Sequence, residues 1–465
     1  MTAFRTETDA LGSVTLPADC LHGINTARAV TNFPFPGPRL GDEPEFVRAF
    51  AAIKQAAARA NRDLGVLSQA RAHLIDRACE DLAAGTLNAA LVVSLLEGSG
   101  GTSLNMNVNE VIANQACRLG GVEPGDHARV HPNDHVNRSQ STNDVVPSAL
   151  QLACAELVTS LLVSLDHLQD VARRRSADFA GVLKLGRTCL QDAQPMTLGQ
   201  AFSAYSHLFQ RCAAHLRAAR PALLSLPLGA TAIGTGFGAP EGYAVSVYAH
   251  LQAITGEPVR QADCLFDAMA NADHFVRLAG ELSALATGFG KIANDLMLLS
   301  SGPSGGLGEL RLPAVQAGSS IMPGKINPVI PMAVRQISHI VTGQAVTIAA
   351  AAADGMLEIN HYEPVMASAL FPALRLLDVG ARQLADACLA GITPDTDHMR
   401  TVLYASSAIA TGFSEQLGYA RTSQLVRQAE QDGRSFLELA IEEGLIKTSD
   451  IEARLKASLG AGGQA

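Results

Sequence analysis

The sequence predicts an all-α protein, because apolar residues recur three or four positions apart over long stretches. The clearest stretch follows Asn143-Asp144 and continues to Arg175. About 30 residues of that pattern would span roughly 45 Å at the rise of an α-helix. Four further segments repeat the periodicity, and several of them are rich in alanine: 196–219, 265–300, 328–354 and 362–390.

The two ends of the chain show weaker patterns. Residues 1–40 are rich in Gly, Pro and Asn, which predicts an irregular arm. Helical periodicity starts at Glu43, and shorter amphipathic pieces follow from about residue 396.

The longest helix carries boundary signals and an unusual composition. We expect Asn143 or Asp144 to cap its amino terminus, with Pro147 in the first turn. Long helices with alanine and leucine on several faces cannot all be covered within one small bundle. Their composition therefore predicts helix packing on more than one side and association between subunits.

Bulk composition excludes several classes of protein. The chain has 465 residues, 48% of them hydrophobic, which is enough for a large core. A net charge of −9 argues against a nucleic-acid partner. Eight cysteines without a Cys-x-x-Cys pair favour a reduced, intracellular protein. No signal-peptide core and no uninterrupted apolar run of about 18 residues is present, so we expect a soluble, cytoplasmic protein without a membrane partner.

Residues 318–328 combine two hydroxyls, two glycines, two prolines and one lysine. Glycine allows unusual backbone shapes and proline fixes φ, so this segment is predicted to be a shaped loop. Its backbone N–H groups, Lys325 and Asn327 can close over an anion, with Ser319 and Ser320 beside it. A plain surface loop is the weaker alternative. An acidic protein that binds an acidic substrate must concentrate its cations, and four are candidates: Arg28, Lys184, Arg187 and Lys325.

His131 and His135 have the four-residue spacing of metal ligands on a helix. Pro132 and Asn133 argue against a helix at that place, so we expect no metal site there.

Four more motifs occur in a fixed order, and Gly101-Thr-Ser103 and Ser141-Thr-Asn-Asp144 belong to them. Together with 318–328 they resemble the signature segments of the aspartase/fumarase superfamily, over nearly the whole chain. The motifs lie at 101–110, 131–144, 184–192 and 228–236.

The resemblance implies a three-domain fold. Its parts would be an N-terminal helical domain (1–140), a central bundle of long helices (141–395) and a small C-terminal domain (396–465). It also implies a homotetramer in which three subunits build each active site, and a small dicarboxylate or amino-dicarboxylate substrate. Neither a cofactor nor a metal is implied.

Family members remove a proton from the carbon beside a carboxylate and then expel a β-leaving group. The resemblance assigns the base to Ser319, with Ser320 as the less favoured choice, and a catalytic positive charge to Lys325. Short neutral donors suit carboxylate oxygens because they need no proton balance. The family positions that hold the substrate correspond to Thr102, Ser141, Thr142, Asn143, Thr188, Cys189 and Asn327.

Two triplets bear on the reaction. At these two loops fumarases have Gly-Thr-Gln and Ser-Ser-Asn. This chain has Gly101-Thr-Ser103 and Ser141-Thr-Asn143, which resemble the triplets of aspartases. The resemblance therefore implies elimination of ammonia or an amine from aspartate or a substituted aspartate, giving fumarate or a related product. A fumarate hydratase and a catalytically silent binding paralogue are the alternatives.

Two positions depart from the family pattern. Cys189 stands where fumarases have histidine, and Met332 replaces the usual glutamate. In relatives that have the histidine, it forms one polar relay with the glutamate beside the substrate. The loss of both together is what a coupled pair predicts. One hypothesis is an altered substrate end of the pocket. The other is that Cys189 is merely a small buried residue replacing an idle one.

Overall fold

The computed structural model describes residues 3–459, and helices dominate it. Helices hold 63% of the residues and strands 8%, which confirms the all-α class. The α-helices run as follows: α1 Ile24–Asn32, α2 Pro44–Asp63, α3 Gln69–Ala83, α4 Thr102–Leu119, α5 Thr142–Asp178, α6 Leu198–Ala219, α7 Tyr243–Thr255, α8 Leu265–Ala270, α9 Asp273–Leu299, α10 Val329–Ala353, α11 Glu363–Asp386, α12 Thr396–Ala405, α13 Ser414–Leu417, α14 Tyr419–Asp432, α15 Phe436–Glu442 and α16 Ile451–Leu459.

The strands in this part of the chain form short pairs. Three pairs are antiparallel, and the pair β5–β6 is parallel. The strands are β1 Phe4–Asp9, β2 Gly12–Pro17, β3 Leu183–Thr188, β4 Gln191–Thr197, β5 Ser225–Leu226, β6 Arg260–Gln261, β7 Leu310–Arg311 and β8 Thr393–Pro394.

Backbone contacts divide the chain into two compact units. The first consists of Met1–Leu162, Ala214–Ala284 and His339–Leu377. The second consists of Val163–Ala213, Leu285–Ser338 and Asp378–Ala465. The three-domain division implied by the motifs stays a prediction.

The irregular arm predicted for residues 1–40 is wrong. This segment holds the hairpin β1–β2 and the helix α1. The hairpin buries only Glu7 and Leu16, so its sequence lacks the apolar alternation by which a half-buried strand is recognised. The turn is closed by Asp9, whose carboxylate accepts from the Leu11 N–H at 2.8 Å.

The long periodic segments are helices, with one break. The segments 196–219, 328–354 and 362–390 correspond to α6, α10 and α11. The segment 265–300 is two helices, because Asn271 adopts an extended conformation and its amide donates to the Asp267 carboxylate at 2.7 Å. The apolar stripe continues across this break, so periodicity alone could not detect it.

The helix α5 is the longest, with 37 residues. Its cap is Ser141, two or three residues earlier than predicted. The Ser141 hydroxyl accepts from the Asn143 N–H at 3.2 Å, while the Asp144 carboxylate accepts from the Ser141 N–H at 3.0 Å. Asn143 and Asp144 thus lie in the first turn, and Pro147 lies in the second.

Two helical stretches are long and apolar enough to cross a membrane by length and composition. The 18-residue windows in Thr142–Asp178 and Glu363–Gly391 have mean hydropathies of 1.6 and 1.3. The protein buries 72% of the window in Thr142–Asp178 and 61% of the window in Glu363–Gly391. Such burial is that of core helices.

A buried carboxylate fixes the start of α1. Glu110 on α4 is 3% exposed and accepts from the backbone N–H groups of Gly23 and Asn25, each at 2.8 Å, and of Thr26 at 3.1 Å. The Thr26 hydroxyl adds a bond of 2.6 Å. An anion at a helix amino terminus satisfies free N–H groups and the helix dipole together.

We predict that Glu110→Ala lowers the free energy of unfolding by about 3 kcal/mol, because several buried donors lose their shared acceptor. Urea denaturation measures the change. The control is Glu123→Ala, since Glu123 is exposed and such surface changes stay within about 0.5 kcal/mol. Equal effects of the two variants would contradict this account.

Candidate active site

The loop 318–328 lies in the second unit and is closed at its base by two bonds. The Gly318 N–H donates to the Lys325 carbonyl at 2.9 Å, and the Asn327 amide donates to the Gly318 carbonyl at 2.7 Å. A Cβ on Gly318 would lie 2.3 Å from the Lys325 oxygen, a separation that real atoms do not reach. The glycine is therefore required by the closure itself.

Ser319 differs from Ser320 in its backbone surroundings. The Ser319 hydroxyl oxygen accepts from the N–H groups of Ile321 at 3.2 Å and Met322 at 3.0 Å. Ser320 is exposed. Backbone donors aimed at an oxygen stabilise negative charge on it, which is the environment that a serine base requires.

Lys325 is exposed and has no ion-pair partner among residues 3–459. It borders a cavity of about 690 Å³ within the second unit. An ion pair between Arg311 and Asp395, at 2.8 Å, lies at the same cavity. The cavity is lined by residues 324–328 together with Met297, Ser300, Ser301, Gly302, Pro303, Gly308, Leu310, Arg311, Leu312, Ala314 and Asp395.

Thr188 and Cys189 lie at the tip of the hairpin β3–β4, also in the second unit. Cys189 and Leu190 form its turn, with positive φ values of 52° and 64°. Both are exposed, so the hypothesis that Cys189 is a buried filler is wrong. Met332, in the first turn of α10, is 44% exposed.

The root of this hairpin is anchored by apolar and ionic contacts. Leu183 and Leu185 belong to a buried cluster that the C-terminal helices complete. Lys184 and Arg187 both pair with the buried carboxylate of Glu309, Lys184 at 3.3 Å. Burial lowers the pKa of Lys184, and the Glu309 charge partly offsets that effect. The tip therefore extends from a fixed base.

These pairings decide among the candidate cations. Lys184 and Arg187 are committed to Glu309, and Arg28 pairs with Asp9 at 2.8 Å. Of the four candidates only Lys325 has no carboxylate partner in the described chain.

Thr102 lies in the first unit, at the first position of α4. Gly101 caps this helix with a φ of 84°, and a Cβ there would lie 2.9 Å from Val146. Both facts require glycine at 101. Thr102 itself is exposed, with its backbone at the helix amino terminus.

Ser141, Thr142 and Asn143 lie in the first unit as well, where α5 begins. The Asn143 amide donates to the Ala232 carbonyl at 2.8 Å, and the Thr142 hydroxyl accepts from the Asn105 amide at 3.2 Å. The structure thus brings the motifs 101–110, 131–144 and 228–236 together. The motifs 184–192 and 318–328 belong to the second unit.

The turn at 132–136 differs from the prediction. Pro132–Val136 forms one turn of π-helix although Pro132 opens it. The His131 Nδ1 accepts from the N–H groups of Asn133 and Asp134, both at 3.1 Å, and the His135 Nδ1 accepts from the His131 N–H at 2.8 Å. Both rings therefore cap backbone. Across residues 3–459, no group of three or more His, Cys, Asp or Glu side chains is arranged to hold a metal ion.

Asp144 lies beside the candidate site residues, and the sequence did not reveal its bonds to the distant segment 229–231. Its carboxylate is fully buried and accepts from the N–H groups of Gly229 and Thr231, both at 3.0 Å, besides that of Ser141. Burial raises the pKa of Asp144 to about 6, although these backbone bonds and the charge of Lys54 act in the opposite direction. Lys54, Asn105 and Asn109 were also missed. A lysine within an alanine-rich buried stripe and asparagines at alternate positions of 105–109 are the signals that could have found them.

Known proteins resemble this chain in sequence and in fold. The family model described as "Lyase" matches residues 12–343. Aspartate ammonia-lyase of Pseudomonas canavaninivorans is 42% identical, over 98% of this chain and 96% of that protein. Fumarate hydratase class II of Ralstonia nicotianae is 40% identical, over 97% of both. The cobalt-bound crystal structure of a fumarate lyase/delta crystallin from Brucella melitensis has a TM-score of 0.94 and 41% identity, over 97% of this chain and 98% of its own.

These matches and the fold define a lyase. The chain belongs to the aspartase/fumarase superfamily, as its ordered motifs predicted. The aspartate ammonia-lyases among its relatives support classing it as a carbon–nitrogen lyase of the aspartase type.

We predict that Asp144→Asn removes a pH dependence of stability. The folded-state pKa of about 6 exceeds the usual value of 3.8, so the folded protein holds an extra proton between these values. Its stability therefore falls as pH rises from about 4 to about 6, by roughly 2–3 kcal/mol. Urea midpoints across this interval should be flatter for the variant. The exposed Asp178, changed to Asn, is the control and should keep the wild-type slope. An unchanged slope in Asp144→Asn would contradict the assignment.

Proposed function

We propose that this lyase eliminates ammonia or an amine from aspartate or a substituted aspartate, giving fumarate or a related alkene. One observation carries the proposal: the Ser319 oxygen accepts two backbone N–H bonds in a loop that also presents the uncompensated cation Lys325. Proton removal beside a carboxylate needs this combination, because the product of that step is a doubly charged enediolate.

In the proposed reaction, the Ser319 alkoxide takes the proton from the carbon next to one carboxylate. The C–H electron pair passes into that carboxylate, which becomes the enediolate. Lys325 and the loop donors stabilise the added charge. The enediolate then collapses and a carbon–carbon double bond forms. The C–N bond of the substrate's ammonium group breaks, and its electron pair stays on the nitrogen, so that a neutral amine leaves. Ser319 finally returns its proton to solvent.

The remaining donors would hold the two carboxylates. We assign this task to six residues, which different copies of the chain would contribute: Thr102, Ser141, Thr142, Asn143, Thr188 and Asn327. The Asn327 amide already donates one N–H to the Gly318 carbonyl, which leaves its second N–H and its oxygen for a ligand.

The assembly that we propose is a homotetramer in the cytoplasm, with shared active sites. The helix α10 supports association. Its buried residues follow one stripe, whereas Ile340 and Val346 are 48% and 68% exposed on a helix whose ionisable residues are Arg335 and His339. An apolar helix covered on one side requires a further partner, and other copies of the same chain are the simplest one.

The choice of an amine as leaving group rests on two motifs. Relatives of both reaction types match over nearly the full chain, at 42% and 40% identity, so overall identity does not discriminate. The triplets 101–103 and 141–143 favour the aspartase side. A fumarate hydratase is the second candidate, supported by the hydratases among the relatives. The complete 318–328 loop argues against a silent binding paralogue.

Cys189 bears on which aspartate derivative is the proposed substrate. Its thiol is exposed at the hairpin tip, where a side chain can contact a ligand directly. Cysteine and methionine in place of histidine and glutamate make a softer, less polar wall. We therefore propose that the distal end of the substrate carries a group other than the plain β-carboxylate or leaving group of aspartate.

We predict that Ser319→Ala lowers kcat by about 10²–10⁴-fold, the usual contribution of a general base. The affinity for fumarate should change little, because the loop is closed by Gly318, Lys325 and Asn327 rather than by this hydroxyl. The control is Ser320→Ala, which should keep most of the activity. Steady-state kinetics and calorimetric titration with fumarate measure both quantities. Full activity of Ser319→Ala would overturn the base assignment.

We predict that fumarate incubated with ammonia, water and a panel of amines gives mainly an N-substituted or related amino-dicarboxylate. Product analysis by mass spectrometry reads the outcome. The double variant Cys189→His with Met332→Glu should shift the products toward aspartate or malate, since it restores the polar pair. Efficient aspartate formation by the unchanged protein would sink the altered-substrate hypothesis, and malate as sole product would favour the hydratase.

A further inference from the structure

Lys54 is a fully buried cation beneath the segment that begins α5. It lies on α2, and its side chain is 0% exposed. Its ammonium donates to the Asn137 Oδ1 at 2.9 Å and to the Gln140 Oε1 at 3.0 Å. Both acceptors belong to the segment 137–144, which ends in the hydroxyl and amide groups proposed to hold a substrate carboxylate.

The Asn137 oxygen is the centre of a larger network. It also accepts from the amides of Asn105 at 3.2 Å and Asn109 at 3.1 Å, both on α4. The Asn105 amide continues to the Thr142 hydroxyl at 3.2 Å. A continuous chain of hydrogen bonds thus leads from the Lys54 ammonium to the first residue of α5, and all of it lies in the first unit.

Burying an ammonium group costs desolvation free energy, which an uncharged side chain at the same place would avoid. The ionisable groups that act on Lys54 are the Asp144 carboxylate of α5 and the Cys79 thiol of α3. Burial lowers the pKa of Lys54 to about 7, although the Asp144 charge opposes this. An apolar side chain would fill the same space without a desolvation cost. The cation therefore serves more than packing.

We propose that Lys54 is a positioning residue for the dicarboxylate. Its ammonium fixes the segment 137–144 so that Ser141 and Thr142 meet one substrate carboxylate, and its charge strengthens the binding of a dianion. This inference rests on the proposed function of that segment.

Lys54→Met removes the charge and keeps the length of the side chain. At pH 6.5 the dissociation constant of fumarate, measured by calorimetry, should rise by about tenfold to a hundredfold, since small displacements of positioning groups have effects of this size. KM for the substrate should rise with it, while kcat changes less. A variant that folds and binds fumarate like the unchanged protein would overturn the proposal.

The pH dependence of fumarate binding is a second readout, which a merely structural role would not move. In the unchanged protein the affinity should fall above about pH 7, as Lys54 loses its proton. Gln140→Glu places a carboxylate 3.0 Å from the ammonium and should move this limb to higher pH by about one unit. If Lys54→Met does not fold, the pH shift in Gln140→Glu tests the proposal by itself. The same pH dependence of fumarate affinity in Gln140→Glu and in the unchanged protein would refute the inference.

The asparagines of α4 offer a matched control. Asn109→Ala removes a donor to Asn137 and should weaken fumarate binding. Asn107 is equally buried on the same helix, but its amide donates to the Ala90 carbonyl at 3.0 Å, away from the segment. Asn107→Ala should lower stability without this loss of affinity, and equal losses of affinity would contradict the proposal.

The two proposals fail separately. Fumarate binding that depends on Lys54 without turnover of any dicarboxylate would refute the proposed function alone. Turnover of amino-dicarboxylates with unchanged binding and pH profile in Lys54→Met and Gln140→Glu would refute the positioning role alone.

Discussion

The bonds of the Asp144 carboxylate are the constraint on which the first unit depends. One oxygen accepts from the Ser141 N–H, and the other accepts from Gly229 and Thr231, which are 85 and 87 residues further along the chain. One buried side chain thus ends the preceding loop, starts the longest helix and fixes a distant glycine-rich segment against it. Its charge must be held without water, so backbone donors and the nearby Lys54 together replace hydration. The polar groups that we propose as substrate ligands in this unit, Ser141 to Asn143, are next to these bonds, so their positions depend on them.

In the second unit, backbone bonds rather than a buried carboxylate hold the candidate site loop in shape. Its loop 318–328 is closed by backbone bonds and by one amide, with glycine at the point of closest approach. Ion pairs to Glu309 anchor the hairpin β3–β4 and remove Lys184 and Arg187 from the set of free cations. Lys325 keeps its charge available for a ligand.

The sequence predicted the helical class, the long helix α5 and the shaped loop, because each leaves a local signature: apolar periodicity, or glycine and proline at fixed points. It failed where the signal was not local or not apolar. The hairpin β1–β2 buries only Glu7 and Leu16, and the break at Asn271 leaves the apolar stripe intact. Ser319 and Lys325 were singled out from the composition of their loop, and the family resemblance assigned their roles, which stay predictions. Lys54 was not singled out, because a lysine within an alanine-rich stripe indicates a buried position but does not indicate the amide oxygens that surround it in the fold. The placement of each motif in the first or second unit likewise depends on contacts distant in sequence.

The left-handed turn at Cys189 and Leu190 has a consequence for how this enzyme can diverge. Non-glycine residues adopt this conformation at a cost, and histidine, asparagine and aspartate accept it more readily than most. The backbone of the tip is set by the hairpin register and by its anchored root, so it does not depend on which side chain occupies the turn. Residue 189 can therefore be exchanged among a small set of residue types without rebuilding the loop. If residue 189 contacts the substrate as we propose, single substitutions there can change selectivity while the loop 318–328 stays unchanged.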